Sequence, residues 1–178
     1  AWIGKWNGQR VENTIGIQNR NDVILDVGLF NTNHRKRLST TRDDDVLQNS
    51  VSPYFENNIQ WIDKFRTVTG FRTDVFFFDV ESNTPENSGG RVAAIASPKL
   101  SLIFGPWAKT EYYLNFGMGF HSNDARGVTS NIDPKSGDPI SSARPLVRVK
   151  GTEFGIRTTY IPHLNSTLGL FAFDFDSE

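Results

Sequence analysis

Residues 110–121 alternate between apolar side chains and polar or small ones. Tyr112, Leu114, Phe116, Met118 and Phe120 fall in one phase; Glu111, Tyr113, Asn115, Gly117, Gly119 and His121 fall in the other. A β-strand turns successive side chains to opposite faces, so the stretch reads as a strand with one apolar and one more polar face. The same period recurs along the chain, and helix-period patterning is almost absent. Candidate strands fall near 11–18, 22–32, 47–61, 65–80, 91–104, 110–121, 145–160 and 167–176. Many exceed the ~5–6 residues usual for a soluble strand. The predicted fold class is all-β: an antiparallel up-and-down meander of about eight long strands.

The links between these strands alternate in length. Asn19-Arg20-Asn21, Asp63-Lys64, 105–109 and 162–165 are short. The stretches 33–46, 82–90 and 122–144 are longer, and the first carries the charged runs 34–37 and Asp43-Asp44-Asp45. An up-and-down meander with tight turns at one end and long loops at the other gives this order, as in membrane barrels.

Alternation alone leaves two environments open. A soluble barrel or sandwich turns the apolar face inward; a membrane barrel turns it outward to lipid and lines its lumen with the polar face. The faces Val51–Trp61 and Tyr112–Phe120 carry no charge. Lipid penalises misplaced charge by about 2–4 kcal/mol for a Lys or Arg at the midplane. Glu56, Arg66, Arg72, Asp74, Lys99 and Glu111 are assigned to the opposite face. Trp61, Phe65, Phe104, Trp107 and Tyr160 sit beside the short turns, as an interfacial aromatic girdle requires. Phe171, Phe173 and Phe175 are read as an apolar face opposite Asp174 and Asp176. In 145–160 the apolar phase changes, and a bulge near Gly151 is expected there.

Composition excludes several classes. Net charge is −1, so no nucleic-acid surface is indicated. There is no cysteine, which removes disulfides, zinc–thiolate sites and thiol nucleophiles. No apolar run reaches the ~18 residues of a membrane helix. The 178 residues are treated as one partial β-barrel domain, 1–178. Its ends read as cut from something longer, and no signal peptide is present.

The stretch from Glu111 to Gly127, EYYLNFGMGFHSNDARG, resembles a strand climbing into an outer loop in the barrel of TonB-dependent outer-membrane receptors. Ser97-Pro98-Lys99-Leu100 with Gly105-Pro106-Trp107, Gly70-Phe71-Arg72-Thr73-Asp74, Lys150–Arg157 and Asp174–Glu178 are similar to further stretches of that family, in its order. Together they cover most of 47–178. The resemblance implies a bacterial outer-membrane location. It also implies a large transmembrane β-barrel, of about 22 strands in plugged transporters, of which these strands would be a slice with no plug and no TonB-contact segment. The function implied is import of a scarce ligand such as a siderophore, cobalamin or a sugar. Outer-membrane lipid and a small-molecule ligand are the implied partners, and TonB would be reached only through an N-terminal segment outside this chain. Neither enzymatic activity nor a cofactor is implied.

Ligand contact is assigned to the outer loop mouth, at His121, Asn123, Asp124 and Arg126. The competing reading, which we prefer, is that Asn123, Asp124 and Arg126 cap and fold the loop by local hydrogen bonds. His121, Ser122, Asp124 and Arg126 hold the ingredients of a catalytic triad, but six residues at a strand exit do not converge on one another. His34, His121 and His163 fall at opposite rims, which argues against a shared metal. Asp43-Asp44-Asp45 lacks the Gly and distal Glu of a calcium loop and is expected in a solvated outer loop. Arg72 with Asp74, and Glu153 with Arg157, are expected in charge ladders across strands. Asn165-Ser166-Thr167 is a glycosylation triplet by pattern only. Gly4-Lys5-Trp6 resembles the G-x-W of lipocalins, so a soluble eight-stranded barrel binding a small apolar ligand is the alternative.

Overall fold

Strand pairing runs in chain order without a crossover, giving one antiparallel meander of eight strands. The structure is a computed structural model that describes residues 1–176. The strands are β1 Trp2–Trp6, β2 Gln9–Asn33, β3 Lys36–Ile62, β4 Phe65–Ser82, β5 Gly89–Trp107, β6 Thr110–Ser122, β7 Leu146–Thr158 and β8 Ser166–Phe175. A 3-10 turn, Pro85–Asn87, and one short helix, α1 Ala125–Thr129, complete the regular elements. The fold class expected from alternation is therefore observed. Ser177 and Glu178, the end of the last family-like stretch, lie outside the described residues.

The strand count of eight conceals two compensating differences. The stretches 11–18 and 22–32 are one strand, β2, and the five-residue β1 was not anticipated. Asn19-Arg20-Asn21 is not a turn: the three residues pair with Val51, Ser50 and Asn49. They contain no Gly or Pro to reverse the chain, and the Asn49 side-chain amide donates to Asn21 Oδ1 at 3.4 Å. The charged stretch 33–46 is likewise strand rather than loop. Its reversal is only His34-Arg35, with φ of 47° and 65°. Asn7-Gly8 (48°, 81°) and Ala108-Lys109 (47°, 62°) make the same two-residue reversal. Positive φ at both central positions matches the right-handed twist of the flanking strands.

Three hairpin reversals and the link 159–165 lie at one end of the sheet. The β2–β3 turn, 83–88 and 123–145 lie at the other. Pairing of β3 with β4 begins at Asp44↔Ser82, so β2 and β3 project past β4 as a two-stranded ribbon. Asp43-Asp44-Asp45 lies at the root of that ribbon within β3, not in a solvated loop. Asp44 is buried beside Arg42.

Register assigns every strand residue to a face. On the first face lie Trp2 and Trp6, the odd positions of β2 from 9 to 23, of β3 from 47 to 61 and of β4 from 65 to 77, and the even positions of β5 to β8. From the short-turn end this face carries no Asp, Glu, Lys or Arg until Asp45, Asp79 and the Lys150–Asp174 pair. It is exposed: Ile15 is 81% and Phe71 52% accessible. All four tryptophans point from it: Trp6, Trp61 and Trp107 near the short turns, and Trp2 farther up, opposite Asn13. Trp6 meets Trp61 edge-on at 6.2 Å, Phe65 stacks on Phe104 at 5.0 Å and Trp107 lies 6.1 Å from Tyr112.

The second face holds the charges of the sheet's middle, including Arg10, Glu12, Glu56, Arg66, Arg72, Asp74, Lys99, Glu111, Glu153 and Arg157. At its loop end it turns apolar. Val46, Phe76, Phe78 and Val80 form a buried cluster under Ala125 and Val128 of α1.

Two expectations about faces are corrected. Pairing of β6 with β7 is unbroken from Thr110↔Thr158 to Ser122↔Leu146, so there is no bulge at Gly151. The change of phase is instead a change of environment: Phe154 and Ile156 lie on the first face, whereas Val147, buried, and Val149, in the wall of a hollow, lie on the second. Phe171, Phe173 and Phe175 pair with Glu153, Gly151 and Val149, so they stand on the charged face, not the apolar one. The first face of β8 is made by Leu168, Leu170 and Ala172. The Tyr112–Phe120 stripe also divides. Phe116 and Met118 are exposed on the first face, whereas Phe120, beyond the last β5–β6 pair at Lys99↔Gly117, leaves that face and packs edge-on against Phe76 of the buried cluster at 5.7 Å.

Candidate ligand-facing site

The four residues assigned to the loop mouth do not form one site. Asp124 caps α1, accepting from the Arg126 backbone N–H at 2.9 Å, and pairs with the Arg126 guanidinium at 2.5 Å. That guanidinium holds the Asp124 carboxyl below the usual carboxylate range. Asn123 donates its side-chain amide to the Arg144 carbonyl at 2.8 Å, closing the base of the loop. His121 is exposed and makes no hydrogen bond among the described residues. Three of the four therefore fold the loop, and His121 stands apart.

The rest of the loop is held from the sheet. Arg42 pairs with buried Asp44 and donates to Ser130 Oγ and the Arg126 carbonyl, both at 3.1 Å. Asn87, fully buried, accepts from the backbone N–H of Asn131 and Ile132 at 2.8 and 3.0 Å and donates to the Ile132 carbonyl at 3.0 Å. Asp133 accepts from the backbone of Lys135 and Ser136, which lowers its pKa. The loop is thus a folded cap over the β3–β4 end of the charged face.

Below the cap the charged face is an ion-pair lattice. Glu111 takes Arg157 at 2.5 Å and Arg66 at 3.6 Å, linking β4, β6 and β7. Lys99 of β5 reaches Glu56 of β3 at 2.5 Å. Arg72 is held by Asp74 on its own strand at 2.6 Å, and Ser52 donates to the same carboxylate at 2.7 Å. Glu153 accepts from Tyr113 Oη at 3.1 Å and Asn115 Nδ2 at 3.0 Å, not from Arg157.

Glycine makes room for this lattice. Gly16 opposes Tyr54, Gly70 opposes Lys99, Gly155 opposes Tyr113 and Gly151 opposes Phe173. In each pair the large side chain lies over the glycine, where a Cβ would meet it at 2.0–2.8 Å. The absent side chain, rather than any unusual backbone angle, is what these positions require.

Where the glycines continue without a covering side chain, the face is hollow. A depression of about 580 Å³ spans β5 to β8. Gly117 and Gly119 form its floor, Lys99, Asn115 and Glu153 one side, and Phe171 and Phe173 the other. A second hollow of about 310 Å³, bordered by Tyr54, Arg72 and Ser97, adjoins it and shares Lys99 and Met118. Pairing of β5 with β6 ends between them at Lys99↔Gly117, next to Pro98, which has no N–H to donate. Sequence reasoning placed Lys99 on this face, Asn115 in the polar phase and Glu153 in a charge ladder, but did not bring Asn115 and Glu153 together with Phe171 and Phe173 around one hollow. The signal available was the glycine at every second place in 117–119, with Gly151 opposite.

No group of three or more His, Asp or Glu side chains among the described residues is disposed to hold a metal ion. The chain matches no protein-family model and no curated protein sequence.

Proposed function

We propose that this chain is part of the barrel wall and outer loops of a TonB-dependent outer-membrane receptor that imports a scarce ligand of siderophore, cobalamin or sugar type. The observation that carries the reading is the exposed, uncharged first face with three of the four tryptophans, Trp6, Trp61 and Trp107, at its short-turn end. In this reading lipid covers that face and water fills a lumen on the charged one. From Phe65 to Phe77 the uncharged stretch of β4 spans roughly 40 Å along the strand. A strand tilt of about 40° turns this into roughly 30 Å of height, enough for an apolar band about 25 Å tall. The short reversals then face the periplasm, and the β2–β3 ribbon and the 123–145 cap face outward. Sheet edges β1 and β8 pair only with β2 and β7, as strands within a larger wall would before their neighbours are added.

The experiment is refolding with and without detergent, read by sedimentation. A lipid-facing wall stays dispersed only in detergent or lipid. A stable monomer in plain buffer would overturn the reading and favour a soluble lipocalin-like barrel.

A further inference from the structure

We propose that the hollow between β5 and β8 takes a neutral polyhydroxylated ring, a carbohydrate unit; this rests on the transporter reading and names its ligand class. Phe171 and Phe173 are 69% and 58% exposed on a face otherwise built of paired charges. Their centroids are 5.3 Å apart, so the two rings make one aromatic wall. Such a wall gains by covering the C–H face of a sugar ring.

The charges around the hollow narrow the class. Lys99 is paired with Glu56, Arg72 with Asp74, and both oxygens of Glu153 already accept a hydrogen bond. No unpaired cation remains there to recruit an anionic iron chelate, and Glu153, held only by the neutral donors Tyr113 and Asn115, keeps a negative charge that disfavours one. What remains is hydrogen-bonding capacity. Each carboxylate oxygen of Glu153 has a further acceptor site, the Asn115 carbonyl oxygen accepts, and hydroxyl groups donate to both. A few convergent polar groups against an apolar wall is the usual composition of a small-molecule site. The glycine floor lets a ring sit against the backbone.

The test is calorimetric titration of the detergent-held chain with neutral tetrasaccharides of glucose, galactose and N-acetylglucosamine, beside a ferric tricatecholate and cyanocobalamin. The expected result is saturable binding of at least one tetrasaccharide. Phe171→Ala and Phe173→Ala should each weaken it about tenfold. Asn115→Ala should also weaken it, with circular dichroism unchanged in all three variants. Three results would overturn the inference: no tetrasaccharide binds, binding survives both phenylalanine truncations, or only the iron chelate or cyanocobalamin binds. Because detergent dependence is measured separately, a detergent-dependent chain that binds no saccharide sinks this inference and leaves the transporter reading standing.

Discussion

Tyr113 lies across Gly155, its directly opposed partner in the β6–β7 register, and a methyl group on Gly155 would meet the ring at 2.0 Å. The same ring carries a hydroxyl that donates to Glu153 at 3.1 Å. Glycine at 155 therefore sets where a neighbouring strand's aromatic ring rests and which carboxylate it supports.

Gly155→Val should displace Tyr113 and break its bond to Glu153. The expected loss is about 1–2 kcal/mol, from one buried pair contact and one hydrogen bond. Gly119→Ala, with no atom within 4 Å of the added Cβ, should cost less. Denaturant midpoints of the two variants in detergent check the difference.

Charge on the two faces should have opposite consequences. Leu100→Arg puts a cation on the uncharged face, opposite Thr69 and close to the middle of the Phe65–Phe77 stretch. In lipid it should cost about 2–4 kcal/mol. Ser101→Arg, one residue away and on the face of Lys99 and Asn115, should be far milder. Urea titration of both variants folded into vesicles reads the asymmetry. Equal losses would count against a lipid-facing assignment.

Asp44 and Arg42 tie the 123–145 cap to β3. Asp44→Ala leaves the Arg42 guanidinium, 15% exposed, without its anion, and removing one partner of a buried pair costs about 3–5 kcal/mol. Arg126→Ala breaks a more exposed pair and should cost under about 1 kcal/mol. Hydrogen exchange at Gly127 and Val128, whose amides bond the Asp124 carbonyl, should accelerate strongly in the first variant and little in the second.

Acid should loosen the same cap. The carboxyl of Asp124 titrates lower folded than unfolded because Arg126 favours its charged form. Its stabilising contribution is complete above the ordinary aspartate value of about 3.9 and is lost as pH falls through the lower folded value. Asp133 shifts in the same direction, through the backbone amides of Ser136 and Lys135. Exchange protection at Gly127 should therefore fall below about pH 4, and Asp124→Asn should reduce that dependence.

The meander and the faces of β3 to β6 were legible because one side of each strand is uncharged over many residues, and a period of two needs no tertiary information. Asn19-Arg20-Asn21 and the charged 33–46 stretch misled because polar residues serve a projecting ribbon as well as they serve a loop. Only pairing partners separate the two. The phase of β8 was hidden for a different reason. Leu168, Leu170 and Ala172 are as apolar as the three phenylalanines opposite them, so alternation carries no sign there. Of the loop-mouth residues, the capping role of Asp124 was readable from local hydrogen-bond chemistry. The wall of Asn115, Glu153, Phe171 and Phe173 was not, since its members meet only through the register of three strands.

The central claim is that hydrocarbon covers the first face. Tryptophan emission in vesicles containing lipids brominated at successive acyl positions tests it directly. Trp6, Trp61 and Trp107 lie on that face near one end, and Trp2 lies four residues farther in. The account predicts strong quenching by bromines near the headgroups, falling off toward the bilayer centre. Emission insensitive to every brominated lipid would contradict it.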